Sequence, residues 1–157
     1  MNFGKVAAGS LVAIGLGAGA AVWWLQEYAF YHAAAFPVGQ EIMLTPINGG
    51  APEVIVVDAV EGIDAESSPL RFRACFTTPL STSMLSETYV IYERPTPLNG
   101  PSWFDCYNAA EIGEALEKGE ALAFLSQHEI HPDVDRVVAV FNDGRAFAWH
   151  QLNKVEE

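Results

Sequence analysis

Basic residues are scarce in this chain. Eight Lys and Arg face twenty Asp and Glu, leaving a formal net charge of −12 over 157 residues. So acidic a surface repels phosphate backbones and anionic headgroups, which argues against nucleic acid and against peripheral lipid binding. Cysteine is scarcer still. Cys75 and Cys106 are the only two, and their spacing excludes a redox pair of the Cys-x-x-Cys type. Catalytic signatures are missing as well. There is no Gly-x-Ser-x-Gly elbow, no serine or cysteine with a recognisable base beside it, and no Gly-rich phosphate loop after a strand. The expectation is a protein that is not an enzyme and needs no cofactor.

What the chain has in quantity is uncharged length. Val6–Leu25 reads VAAGSLVAIGLGAGAAVWWL, twenty residues without an ionisable group. At about 1.5 Å per residue it spans about 30 Å, the hydrocarbon thickness of a bilayer. Trp23 and Trp24 close the run and Tyr28 and Tyr31 follow, where amphipathic rings settle at a membrane interface. Two readings compete. Lys5 and Ala18-Gly19-Ala20 suit a cleaved signal peptide. The run continues past Ala20, however, and QEYAFYHAAAF has no helix breaker before Pro37. That favours a retained anchor with a juxtamembrane helix over residues 1–36. A buried core helix is disfavoured, because the run lacks a polar face.

Orientation follows from the positive-inside bias. Near the run, basic charge lies only before it, at Lys5 and the amino terminus; the next basic residue is Arg71. The expectation is a single-pass protein of the inner (cytoplasmic) membrane, N-terminus in the cytoplasm and residues 37–157 forming a periplasmic domain. Gly15 and Gly19 make a small-xxx-small pair through which two helices could self-associate.

The exported residues read as one α+β domain with a largely antiparallel sheet and two helices. Strands are expected at Glu41–Thr45, at the β-branched run Val54–Val60 as a central strand buried on both faces, and at the alternating Leu70–Thr77. Gly62–Pro69 reads as loop. Thr78-Pro79 looks like an N-cap and first helical proline, opening a helix to about Tyr89. Asn108 caps a second helix over Ala109–Lys118, and Gly119 sits where a left-handed C-terminal cap belongs. Ala121–Ser126, Arg136–Phe141 and Arg145–Leu152 complete the strands, the last two joined by an Asn142-Asp143-Gly144 turn. Both helices are expected on one face.

Few residues suggest a site. In an oxidising compartment Cys75 and Cys106 would pair in a structural disulfide, stabilising the fold by roughly 3–4 kcal/mol. Free buried thiols are the alternative. The proline-rich loop 93–102 leads into Trp103 and Phe104. With Pro97 and Pro101 stiffening it, this is the candidate surface for a protein partner in the envelope, unless the two aromatics pack inward. Arg71 and Arg73, on one face of a strand, could grip an anion, or could be the wet face of a half-buried strand. His128, His131 and His150 are the candidate metal ligands, which makes a metal-binding accessory protein the alternative function. His-x-x-His alone is a weak signal, and the ordinary explanation is that His128 and His131 are solvated loop residues and that His150 borders the core beside Trp149.

Three segments resemble a known family: RFRACFTTPLS at 71–81, PSWFDCYNAAEIGEALEKGEALAFLSQ at 101–127 and DRVVAVFNDGRAFAWHQLN at 135–153. With the N-terminal run they resemble an uncharacterised family of short single-pass membrane proteins of alphaproteobacteria, some labelled "histidine kinase". The resemblance brings no activity and no functional residues. The kinase label fits poorly, since about 120 residues without a nucleotide-binding glycine motif cannot hold both a phosphoacceptor helix pair and a catalytic domain.

Overall fold

The computed structural model describes residues 2–154. The Met1 amino group used in the orientation argument and residues 155–157 of the expected domain lie outside the described residues. Helix α1 runs Phe3–Glu27 and buries none of its side chains against the rest of the molecule. It is long and apolar enough to cross a membrane.

Helix was expected to continue to Phe36, but it stops at Glu27. The Tyr28 and Ala29 amides bond back to the Trp24 carbonyl, and Phe30 turns the chain at φ 71°. Tyr31–Ala33 then forms strand β1. No glycine or proline marks this stop. Pairing with a distant strand decides it, overriding the local helical preference.

Strands β2 (Met43–Leu44) and β3 (Glu53–Val54) make a small antiparallel sheet of their own. The Val54–Val60 run is not a central strand; within it only Ile55 is buried. The paired segment is instead β4, Asp58–Ala65, which takes up much of the expected loop. After it come β5 (Arg73–Thr77), α2 (Thr82–Thr88), α3 (Ala109–Lys118), β6 (Ala121–His131), β7 (Val134–Phe141) and β8 (Arg145–Leu152). The N-cap of α2 is Ser81, whose hydroxyl accepts from the Met84 amide. Thr78 is used elsewhere, donating to the Val56 carbonyl at 2.7 Å. In α3 the Asn108 side chain accepts from the Ala110 and Glu111 amides, and Gly119 is left-handed at φ 72°.

Six strands form the main sheet in the order β1-β4-β5-β8-β7-β6, antiparallel at every pairing. The fold is therefore α+β behind an N-terminal apolar helix. The two later helices do not share a face. Leu85 of α2 joins Ile42, Leu44, Ile55, Phe72, Phe124 and Val138 on one side of the sheet. Ile112 and Ala115 of α3 join Tyr107, Val137, Phe147 and Trp149 on the other. With the β2–β3 sheet filling out the α2 side, both faces are covered, which explains the near-continuous burial of β5, β7 and β8.

Candidate functional site

Cys75 lies on β5, directly opposite Glu61 on one side and Phe147 on the other. Its sulfur is 2.12 Å from that of Cys106, disulfide distance, with Cα atoms 6.3 Å apart. Cys106 ends a loop that the sheet holds at a second point. Arg73, 4% exposed, donates from Nε to the Leu98 carbonyl at 3.0 Å and from Nη2 to Asn99 at 2.8 Å. Its Nη1 bonds the Leu70 and Phe72 carbonyls, both at 2.6 Å. Burial pulls the Arg73 pKa down. With its donors spent on backbone carbonyls, Arg73 does not offer an anion site with Arg71. Arg71 instead lies over the Tyr31 ring at 5.2 Å. Alternation alone pointed to a wet face; the 98–107 loop covers it.

The far end of that loop grips the end of α1. The Glu27 carboxylate accepts from the Ser102 amide and from its hydroxyl, both at 2.8 Å. Trp103 donates its indole N–H to the Glu27 carbonyl. Tyr28 stacks on Trp103 at 6.3 Å, Tyr31 meets it edge-on at 5.8 Å, and Trp23 reaches Tyr28 at 5.4 Å. Pro101 is buried and Pro97 half-buried. Of the four residues read as a partner surface, Pro97, Pro101 and Phe104 are buried or half-buried, while Trp103 keeps one side exposed and joins the domain to its own helix.

The three candidate metal ligands do not converge. His131 and His150 have ring centroids 5.8 Å apart. Both His150 nitrogens are taken: Nδ1 donates to the Pro69 carbonyl at 2.7 Å, and Nε2 accepts from Arg136 Nε at 3.0 Å. The ring stacks on Phe72, over which Arg136 also lies. Burial, reinforced by the Arg136 charge, pushes the His150 pKa down to about 3. Burial likewise lowers Arg136 to about 10, leaving it a cation at neutral pH. His128 belongs to a separate cluster, with Nδ1 donating to Asp135 Oδ1 at 2.9 Å. Among the described residues, the three-ligand group within reach of one ion is Glu61, Cys75 and Cys106. Its sulfurs are at bonding distance to each other and so hold no thiolate for a metal.

Asp135, an acid four residues after His131, organises the cluster around His128. It is 4% exposed and accepts from Tyr92 Oη, His128 Nδ1, the Glu129 amide and Asn153 Nδ2. Burial, with this carboxylate beside it, pushes Tyr92 up to about 12. Asp135 secures the bulge that sets Glu129 at φ 47°. In the sequence it shows as an acid inside the largely apolar run of β7, close to His128 and His131.

Beside this knot lies a cleft of about 430 Å³ between Leu70, Leu98 and Leu152, with Arg94 and Lys154 among its walls. One wall is fixed by Gln151, which accepts from the Thr96 amide at 2.8 Å and donates to the Arg94 carbonyl at 3.0 Å. Leu152 is 53% exposed.

Fold and site define a small α+β domain clasped to an apolar N-terminal helix. A family described as a family of unknown function (DUF6446) matches residues 42–157, and the chain belongs to it. No curated protein and no solved structure matches the chain.

Proposed function

We propose that this is a non-enzymatic, single-pass inner-membrane protein. Its N-terminus lies in the cytoplasm and its acidic domain acts in the periplasm, binding or supporting another envelope protein. The setting is an alphaproteobacterial envelope, and the histidine kinase label on similar chains is a misnomer. Length and apolar composition of α1 support the span. The observation that carries partner binding is the leucine-lined cleft. Arg94, one of the few basic side chains, flanks it in an acidic domain beside Lys154, whose ammonium is paired with Asp133 at 2.5 Å, and Gln151 holds its wall in place before any partner arrives. The chemistry fits an extended segment carrying apolar side chains and a carboxylate. No observation favours the metal-binding alternative.

A photo-cross-linking residue at position 152 in intact membranes tests this. One discrete adduct is expected, and the R94E/K154E double variant should abolish it. An adduct unaffected by charge reversal, or none at all, overturns the proposal. A C-terminal phosphatase fusion, active only outside the cytoplasm, reads the orientation directly.

A further inference from the structure

Phe30 is out of place for a soluble surface. It is an aromatic residue at φ 71°, where bulky side chains are strained, and it is 60% exposed. The protein gains no burial in return for that strain. Its neighbours are aromatic too: Trp23 and Trp24 in the last turns of α1, then Tyr28, all more than 40% exposed, with Trp103 at 37%. Ring contacts link Trp23 to Tyr28 and Tyr28 to Trp103. Trp23, Tyr28 and Trp103 thus form one collar where the apolar helix meets the domain, with Trp24 and Phe30 next to it along the chain.

Position along the chain says what covers the collar. The uncharged run ends at Leu25, and only Gln26 and Glu27 extend the helix before the turn. At about 1.5 Å per helical residue, Phe30 falls within the roughly 5–8 Å headgroup layer that flanks the hydrocarbon on each side. Amphipathic and aromatic rings concentrate in that layer. We infer that Phe30, Tyr28 and Trp103 are a membrane-docking surface that seats the domain on the bilayer its own helix crosses. This rests on the reading of α1 as a span. The attraction is apolar, because an acidic domain gains nothing from anionic headgroups. Docking therefore needs no anionic lipid and survives high salt.

The test uses the full, oxidised chain in nanodiscs of zwitterionic phosphatidylcholine at high salt. A nitroxide is placed at position 30 by F30C, and a water reference on exposed α3 by E117C. Access of a water-soluble nickel chelate at position 30 should fall about tenfold below the reference, while oxygen access rises. In a W23F/W24F variant, Trp103 emission should be quenched by lipids brominated near the glycerol end, with Trp149 fully buried. A label at 30 as open to nickel as the reference, or an unquenched Trp103, overturns the inference. Should F30C fail to fold, Trp103 quenching decides alone. Alkaline carbonate separates the two levels. Release from the membrane defeats the span and the docking together, whereas retention with a water-exposed collar defeats docking only.

Discussion

Phe36 crosses β4 directly over Gly62. A β-carbon at 62 would lie 2.7 Å from the Phe36 Cζ and 2.9 Å from the Arg73 carbonyl oxygen. The ring could move, but the carbonyl belongs to the β4–β5 ladder and cannot. Gly62→Ala should therefore destabilise the fold by about 1–3 kcal/mol, despite the lower entropy of its unfolded chain. The urea midpoint should fall with little change in slope.

Cys75 and Cys106 are 31 residues apart, so a bond between them restricts the unfolded chain considerably. A C75S/C106S double variant should lose about 3–4 kcal/mol in the chain-entropy model. Thiol titration of the denatured, unreduced protein should find no free thiol; two would refute the bond itself.

His150 makes stability sensitive to acid. The unfolded imidazole takes up a proton near 6.5, the folded one only near 3, so acidification favours unfolding across that interval. From pH 8 to pH 5 this group alone should remove about 2 kcal/mol. NMR of the His150 ring should show a neutral imidazole with its proton on Nδ1 throughout that range.

Trp103 closes the joint between helix and domain through one hydrogen bond and two ring contacts. Trp103→Ala should open it. Chymotrypsin cleavage after Tyr28 or Phe30 should accelerate about tenfold or more. The thermal transition of the sheet, followed by Trp149 fluorescence, should hardly move, and equal cleavage rates would refute the clasp.

The ends of α3 carry local terms that can be separated. Asn108→Ala leaves two amides without their acceptor, and Gly119→Ala forces a β-carbon into a left-handed position. Each should cost about 1 kcal/mol, and at opposite ends of the helix the two losses should add.

These caps were legible because they are local. Asn108 and Gly119 stand at fixed offsets from one helix, and Asn142-Asp143-Gly144 joins β7 to β8 as its residues dictate. What escaped was decided at a distance. The β-branched run at 54–60 has the composition of a strand. The ladder nevertheless forms on Asp58–Ala65, where Gly62 admits Phe36 and Ile63 and Ala65 are buried. Arg71 and Arg73 alternate as a wet face would, but Arg73 is sealed by carbonyls 25 and 26 residues away. Trp103 looked like an open contact because its partner, Glu27, is 76 residues distant. Periodicity reports which residues can share a face. It does not report what lands on that face.

Three residues, Tyr28 to Phe30, separate α1 from β1. Fully extended, so short a joint spans about 10 Å, and here it is folded and clasped. A domain on a long linker samples a volume and can meet partners well beyond its base. This one has no such radius. For a domain hung from a bilayer in this way, the search for a partner is two-dimensional. A domain hung so would meet what drifts alongside it in the same membrane rather than what lies farther out.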